Sequence, residues 1–259
     1  MNKREWSQQS LAHVRHLVET IGPRGSATPA EREAARYVEA ELVKLGLPVT
    51  VQRFRSPTSA WLPFAYVWAI ALIAALLAPW FNPVSGVLAA ALCLLALWWL
   101  LGELNLKDTP LRLLLPHGES QNVIGRLPPQ GVATQRVVLV GHLDSHRTPY
   151  FHQTQQRNAI LSRLLISAAL GLVVNAVIFI LVAFTGWVWL YLAAVPFTLL
   201  HLVGLIITLQ VDRTPYSPGA SDNASAVATV LTLAEHLVRQ PLRHTELWFL
   251  FSGCEEVGC

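Results

Sequence analysis

The chain alternates between polar segments and two long apolar blocks. Residues 61–101 and 164–209 contain no Asp, Glu, Lys or Arg. Each block is long enough for two membrane-spanning helices, which need about 20 apolar residues apiece. Each is also interrupted near its middle, by the sequence PWFNP at residues 79–83 and by Thr185-Gly186. The pattern therefore predicts two hairpins of transmembrane helices, with spans near residues 62–78, 84–101, 164–184 and 187–209.

The polar segments carry the helix and strand patterns of an α/β fold. Residues 7–21 and 31–45 have apolar positions at helical spacing, and Thr28 with Glu31 forms a capping-box pattern at the start of the second helix. A third helix is predicted at residues 223–239, and strands are expected at residues 48–54, 122–127, 136–140 and 245–251. Because residues 136–140 are continuously apolar, that strand is predicted to be central and buried on both faces.

Composition narrows the classes of function. Of the 259 residues, 53% are hydrophobic, and the mean hydropathy of +0.43 lies above the ordinary range of soluble proteins. The formal net charge of +3 is too small and too dispersed to indicate a nucleic-acid partner. Residues 1–19 lack the apolar centre of a signal peptide, and three cysteines agree with a reducing compartment.

The positions of the cations predict the orientation in the membrane. Neither turn within the two apolar blocks carries a charge, whereas Lys and Arg residues flank the spans on the polar side. The positive-inside bias therefore places the polar part of the chain on the cytoplasmic face. The flanking cations are Arg53, Arg55, Lys107, Arg112, Arg147, Arg157, Arg163 and Arg213.

His142 and Asp144 follow the apolar strand at residues 136–140. Side chains at this end of a strand lie at the edge of an open α/β sheet where ligands bind. A carboxylate two residues after a metal-binding histidine can accept a hydrogen bond from the other ring nitrogen, which fixes the tautomer. The alternative is a plain turn in which Asp144 and Ser145 bind local backbone amides.

Asp222 and Asn223 precede the helix predicted at residues 223–239, after the small-residue segment PGAS at residues 218–221. This approach suits a carboxylate that bridges two cations. The alternative is a helix cap made by Ser221, Asp222 or Asn223.

Glu255 and Glu256 are adjacent at the end of an apolar strand, between Gly253 and Gly258. Two neighbouring carboxylates repel unless cations or a shared proton relieve them, so one is suited to binding metal and the other to handling protons. The alternative is a solvated surface turn.

Taken together in this order, the motifs GHLDS at residues 141–145, PGASDNAS at 218–225 and GCEEVG at 253–258 resemble those of the zinc exopeptidases of metallopeptidase family twenty-eight. Upstream, the sequence IGPRGS at residues 21–26, with the helix and strand that follow it, resembles the opening of that family. The sequence NVIG at residues 122–125 resembles its strand before the histidine motif. The resemblance runs from about residue 11 to residue 259 and excludes the two hairpins.

The resemblance implies a mixed sheet flanked by helices and a site for two zinc ions. It makes His142 a ligand of one zinc, Asp222 the carboxylate that bridges both, and Glu256 a ligand of the other. Glu255 becomes the general base, and Asp144 the partner that orients His142. The two ions, about 3.5–4 Å apart, activate the water that attacks the peptide bond.

The sequence departs from the family pattern at its end. The family has two further ligands, an aspartate and a histidine, well downstream of the paired glutamates. His146, His152 and His201 are not expected to replace them, because the first two lie in the arm before the second hairpin and the third lies within a span. We therefore expect these residues to be the amino-terminal part of a longer protein, with an incomplete sheet. This part alone, with three of the five ligands, is expected to bind zinc poorly and to be inactive.

These observations predict a peptidase domain at residues 1–60, 104–160 and 211–259, interrupted by transmembrane hairpins at residues 61–103 and 161–210. The favoured function is a membrane-anchored, zinc-dependent exopeptidase, and an aminopeptidase in particular, that acts on peptides at the cytoplasmic face. The oligomeric state stays open.

Two alternatives belong to other classes of function. A truncated, catalytically inactive chain would be a membrane scaffold or partner protein and would need no zinc. Transport is suggested only by Asn175 and His201, polar residues within spans, which more often form hydrogen bonds between helices.

Overall fold

The computed structural model describes residues 3–80 and 82–258. Phe81, in the turn expected within the first hairpin, and the terminal residues Met1, Asn2 and Cys259 lie outside the described part. The chain divides into two compact units. The first lies within residues 1–58, 116–147 and 215–259, and the second comprises residues 59–115 and 148–214.

The first unit is a four-stranded mixed sheet with flanking helices, as the sequence predicts. Its strands are β1 (Val49–Pro57), β2 (His117–Leu127), β3 (Gln135–His142) and β4 (Thr245–Ser252), in the order β1-β2-β4-β3. The pairs β1–β2 and β2–β4 are antiparallel, and β3–β4 is parallel. Its helices are α1 (Lys3–Arg15), α2 (Pro29–Lys44) and α7 (Ser225–Arg239), numbered along the whole chain.

Apolar side chains of the sheet and of two helices form the core of this unit. Phe249 and Phe251 of β4 are fully buried. They pack with Val38 of α2 and Leu231 of α7 in one continuous cluster. Burying side chains of this size stabilises the fold by roughly 1.5–3 kcal/mol each, so the core fixes the β4 strand that leads into Glu255.

The prediction that the strand at residues 136–140 is buried on both faces is wrong for this structure. Strand β3 lies at the edge of the sheet, and within the described residues it pairs only with β4. Val137, Val138 and Val140 are 41%, 45% and 55% exposed. A continuously apolar sequence is typical of a strand covered on both sides, and here it occurs on a strand with one neighbour.

Helix α2 begins as the sequence predicts, but its capping box is only half formed. Thr28 accepts a hydrogen bond from the amide of Glu31 at 3.4 Å. The Glu31 carboxylate does not return this bond to Thr28. It turns inward and accepts hydrogen bonds from the amides of Ala27 and Cys254 and from the hydroxyl of Ser120.

Helices α1 and α7 differ at their ends from the predicted bounds. Helix α1 starts before residue 7 and is followed by a wider π-helical turn, His16–Ile21. This turn ends at Gly22, whose φ of 83° lies in the region that favours glycine. Helix α7 starts at Ser225, because Asp222 and Asn223 have non-helical backbone angles.

The second unit consists of four apolar helices: α3 (Leu62–Leu77), α4 (Asn82–Leu104), α5 (Gln155–Thr185) and α6 (Tyr191–Asp212). Three segments are long and apolar enough to cross a membrane, namely Pro83–Leu104, Gln155–Thr185 and Val188–Asp212. With 16 residues, α3 is the shorter apolar helix. The number of spans and their orientation stay predictions.

The polar residues within these helices join α5 to α6. Asn175 donates a 3.3 Å hydrogen bond to the hydroxyl of Thr198, and His201 Nε2 lies 3.0 Å from the carbonyl oxygen of Ala168. The ring of His201 also stacks on that of Trp68, with 5.9 Å between centroids. Polar groups that bind across helices are common in membrane proteins.

The chain leaves the first unit twice, and each time the residues just before and just after the insertion pair with each other. The β1–β2 ladder continues to Pro57 opposite His117, and the amide of Thr58 donates a 3.0 Å hydrogen bond to the carbonyl of Pro116. Around the later departure, Arg147 forms an antiparallel bridge with Tyr216. The chain thus leaves this unit and returns to it at the same place in each case.

Candidate metal centre

Three loops at one edge of the sheet bring the predicted site residues together. His142 is the last residue of β3, opposite Ser252 at the end of β4. Because β3 and β4 are parallel, the turn after β4, Glu255–Val257, lies at the same edge. Asp222 lies in the turn Ala220–Ala224 that leads into α7.

His142, Asp222 and Glu256 form a group able to hold a metal ion. Each offers one ligand atom, and these atoms lie within 4.8 Å of one another. His142 Nε2 is 3.0 Å from Asp222 Oδ1 and 3.6 Å from Glu255 Oε2. One imidazole and two carboxylates are a donor set that zinc accepts, so the side chains fit the implied metal.

Asp144 links the histidine to the paired glutamates. Its carboxylate is fully buried, with Oδ1 3.3 Å from His142 Nδ1. It also accepts hydrogen bonds from the amides of Glu255 at 3.2 Å and Glu256 at 3.0 Å, and from the hydroxyl of Ser26 at 2.6 Å. Asp144 therefore orients the imidazole and fixes the turn that carries both glutamates, which a plain surface turn would not require.

The charges at the centre shift the pKa values of its members. Burial lowers the pKa of His142, but the hydrogen bond to Asp144 and the charges of Asp144, Glu255 and Asp222 outweigh it and raise the pKa to about 9. Burial, together with the charges of Asp144 and Asp222, raises the pKa of Glu256 to about 7. The carboxylates thus favour a positive charge at this place, and a metal that binds His142 displaces its proton.

Burial alone would raise the pKa of Asp144. The hydrogen bonds from His142, Ser26 and the amide of Glu256 reverse this and lower it. The ionised form of Asp144 is therefore favoured behind the histidine, and an ionised carboxylate in this place is suited to orienting a metal-binding imidazole.

Asp222 does not act as a helix cap. Its φ and ψ are −119° and 96°, and its peptide bond to Asn223 is cis. Helix α7 has no side-chain cap in the structure. The Asp222 carboxylate instead faces His142, with 60% of its side chain exposed.

Arg24 connects two of the site loops to the amino-terminal segment. Its guanidinium is buried and donates hydrogen bonds to five carbonyl groups. Two of these belong to the loop before Asp222, those of Pro218 at 2.9 Å and Gly219 at 3.2 Å. Another is that of Leu143, at 2.9 Å, between His142 and Asp144. Arg24 therefore sets the separation of the histidine and aspartate loops.

Gly219 permits this close packing. Its φ is +63°, and an added Cβ would lie 2.8 Å from an Arg24 nitrogen and from the Ser145 Cβ. A side chain at this position would therefore push Arg24 out of its place.

Glu31 holds the third loop. Its carboxylate is buried, and Oε1 accepts a 2.8 Å hydrogen bond from the amide of Cys254, directly before the paired glutamates. Burial raises the pKa of Glu31 to about 7, against the lowering effect of its hydrogen-bond donors. Residues Arg24, Ser26 and Glu31 thus contact all three site loops from one segment.

Sequence reasoning missed these three supporting residues and also His146. The sequence does carry one signal for Arg24, since an arginine within the small-residue run GPRGS at residues 22–26 stands out from its neighbours. The sequence predicts that His146 lies in the arm before the second hairpin, outside the centre. The structure places His146 Nδ1 3.5 Å from Glu256 Oε1.

A comparison with protein families agrees with this geometry. Residues 205–259 match the model of Peptidase family M28. This match confirms the resemblance to zinc exopeptidases of that family, and it includes Asp222, Glu255 and Glu256, while His142 lies outside it. No curated protein matches the chain.

Several solved structures are similar to the chain at low sequence identity. A leucine aminopeptidase precursor from Bacteroides thetaiotaomicron is 14% identical, with a TM-score of 0.44, and the match covers 95% of this chain and 46% of that one. A zinc aminopeptidase from Bacillus subtilis is 15% identical, with a TM-score of 0.45, and the match covers 97% and 62%. A glutaminyl cyclase from Fimbriiglobus ruber is 14% identical, with a TM-score of 0.44, and the match covers 94% and 44%. The chain thus spans about half the length of the first of these structures.

Proposed function

We propose that this protein is a membrane-anchored, zinc-dependent exopeptidase, and in particular an aminopeptidase. The observation that carries the proposal is the convergence of His142, Asp222 and Glu256, whose ligand atoms lie within 4.8 Å of one another. The match of residues 205–259 to Peptidase family M28 supports it. In this proposal His142, Asp222 and Glu256 would be the residues of this chain that hold two zinc ions.

Zinc, when bound, supplies a Lewis acid that polarises the peptide carbonyl and lowers the pKa of water. The chain supplies the proton transfers. Glu255 is assigned as the general base from the resemblance of its motif to the family pattern, and its carboxylate lies 3.6 Å from His142 Nε2 with 56% of its side chain exposed. It takes the proton of the attacking water and passes it to the leaving amine.

Asp144 holds His142 and the paired glutamates in fixed positions relative to each other during this transfer. It binds His142 on one side and the amides of Glu255 and Glu256 on the other. The general base and the metal ligands are therefore positioned by one buried carboxylate, which limits the reorganisation needed to reach the transition state.

The choice of an aminopeptidase rests on the resemblance of the site motifs to the zinc exopeptidases of Peptidase family M28. A peptide with a free amino group is thus the proposed substrate.

The membrane part of the proposal keeps four spans and a catalytic unit on the cytoplasmic side. Three helical segments are long and apolar enough to span. Helix α3 has 16 residues, so it extends over about 24 Å and needs some thinning of an apolar layer about 30 Å thick. The orientation rests on the cations that flank the spans.

The test is release of amino acids from unblocked peptides by the purified full-length protein in detergent, with and without a zinc chelator. We expect activity that the chelator abolishes and zinc restores. Replacement of the general base, Glu255→Gln, should lower kcat by roughly 10²–10⁴-fold and leave zinc binding in place. An amino-blocked peptide provides the matched control for specificity.

Full activity of Glu255→Gln would overturn the assigned mechanism. Cleavage of blocked and unblocked peptides at equal rates would overturn the aminopeptidase assignment but not the hydrolase. A protein that binds no zinc would overturn the proposal as a whole and favour the scaffold alternative.

A further inference from the structure

A groove between helix α2 and the strands β1 and β2 is lined by charged and polar side chains. Its volume is about 290 Å³, which is close to the lower end of the range for small-molecule sites. Its cations are Arg32 and Arg36 of α2 and Arg53 of β1. No residue of the group that could hold the metal ion lines this groove. We propose that the groove is a second site, which binds the phosphate group of a small ligand.

The fold places the three arginines around one opening. Arg32 and Arg36 are four residues apart on α2, so they lie one turn apart on the same face of the helix. Arg53 is opposite Gln121 in the β1–β2 ladder, so these two side chains lie on the same face of the sheet. Ala35 lines the groove as well, and its small side chain leaves room between the helix and the strands.

The arginines of the groove are available to a ligand. Among the residues that the structure describes, Arg32 and Arg53 form no ion pair, and Arg36 forms a 3.5 Å ion pair with the exposed Glu33. Guanidinium groups that surround one groove repel one another, and an anion bound between them removes this repulsion. The arrangement therefore favours a negatively charged ligand.

A buried amide supplies a further hydrogen-bond donor. Gln121 lines the groove and is only 7% exposed. Its Nε2 is buried and has no hydrogen-bond partner within the described part of the chain. A buried donor without an acceptor is unfavourable. An oxygen atom of a bound anion provides the acceptor that this amide lacks.

The number of donors favours a phosphate group over a carboxylate. Each guanidinium presents a fork of N–H groups that can bind two acceptor positions at once. Three forks and one amide exceed the roughly four lone-pair positions of a carboxylate, whereas a phosphate group carries three strong acceptor oxygens. Glu39 and Glu119 also line the groove, and their charges oppose the entry of a large polyanion. The ligand is therefore one phosphate group, either free or carried by a small molecule.

The experiment is calorimetric titration of inorganic phosphate into the purified full-length protein in detergent. The variants are Arg53→Gln and Gln121→Leu, and the control is Arg55→Gln, at an exposed arginine of the same strand that does not line the groove. We expect one binding event that Arg55→Gln keeps and that each of the other two variants weakens by at least about tenfold. The event should persist after zinc is removed, because the groove contains no proposed metal ligand.

Two variants keep the test decisive if one of them is unstable. Arg53 is exposed, so its replacement should leave the melting temperature unchanged. Gln121→Leu removes a donor that has no acceptor and keeps a similar volume, so it should fold as well as the wild type does. Thermal unfolding without phosphate checks both expectations.

The outcomes separate this inference from the proposed function. Equal phosphate affinity in Arg53→Gln and Arg55→Gln, or no binding by the wild type, would overturn the site. Acetate that binds as tightly as phosphate would also overturn it. Tighter binding of glycerol 3-phosphate than of inorganic phosphate would support the site and assign it to a small organic phosphate, and the reverse order would support free phosphate. Binding of phosphate by a protein without peptidase activity would leave the site standing while the proposed function failed.

Discussion

Arg24 and Leu143 are separated by more than one hundred residues, yet the Arg24 Nε donates a 2.9 Å hydrogen bond to the Leu143 carbonyl. Leu143 lies between the histidine that is proposed to bind zinc and the aspartate that orients it. The same guanidinium binds the loop before Asp222. The amino-terminal segment therefore determines the geometry of a centre whose proposed ligands all come later in the chain.

Arg24→Lys should weaken both the fold and the metal site. A lysine keeps the charge but cannot donate to five carbonyls at once, so several buried acceptors lose their partners at about 1–3 kcal/mol each. We expect a melting temperature lower by several degrees and weaker zinc binding. Arg36→Lys is the control, because Arg36 is exposed and forms an ion pair with the neighbouring, exposed Glu33. Equal melting temperatures for the two variants would contradict the role given to Arg24.

Asp144→Asn should lower zinc affinity by roughly 10–100-fold, because the partner of a metal-binding histidine is replaced by a neutral amide. The effect on the fold should be smaller than that of Arg24→Lys, since the amide oxygen still accepts part of the hydrogen bonds. Competition with a chromophoric chelator measures the dissociation constant. Asp108→Asn serves as the control, since the Asp108 side chain is 98% exposed. Unchanged zinc affinity in Asp144→Asn would rule out the orienting role.

Glu31 should make the stability of the protein depend on pH. Its pKa is raised from 4.5 to about 7, so the folded chain binds this proton more tightly than the unfolded chain does. The resulting stabilisation is complete below about pH 4.5 and is lost as the pH rises to about 7, and it amounts to at most about 3.4 kcal/mol.

Glu31→Gln removes this titration while keeping the shape of the side chain. The advantage of the wild type over the variant in free energy of unfolding should therefore be largest near pH 5 and smallest near pH 8. Thermal unfolding of both proteins at a series of pH values provides the measurement. An advantage that stays constant, or grows with pH, would show that Glu31 is ionised in the folded chain throughout.

His201→Leu should destabilise the second unit without affecting zinc binding. The change removes the hydrogen bond to the Ala168 carbonyl and the stacking on Trp68, and bonds of this kind between membrane helices contribute about 1–2 kcal/mol. Thermal unfolding in detergent should show the loss, while zinc affinity stays at the wild-type value. Weaker zinc binding in this variant would show that His201 influences the centre.

The elements of the fold were largely predictable, because each has a local signature. The four strands and the helices of the first unit were expected near their observed positions, since apolar periodicity and the Thr28 cap act within a few residues. The edge position of β3 was not predictable. An apolar run such as the one that includes Val138 indicates that a strand favours apolar surroundings, but it does not indicate how many strands pair with it.

The ligand group was predictable for a different reason. His142, Asp222 and Glu256 stand in short motifs whose order resembles that of a known family, and the structure brings them together. The supporting contacts of Arg24, Glu31 and His146 were not predictable, because they depend on pairing between distant segments. Glu31 is instructive: its spacing from Thr28 predicts a local cap, but burial near Cys254 redirects its carboxylate to a distant loop.

The paired ends of the two insertions have a consequence for chain entropy. Each insertion is closed at its base by paired residues. Pro57 lies opposite His117 at the first insertion, and Arg147 lies opposite Tyr216 at the second. When the ends of a loop are held together, each doubling of its length adds only about 0.6 kcal/mol to the closure cost. The closure cost of the first unit therefore changes little with the length of either insertion, and short turns grafted at these two points should leave the same sheet in place.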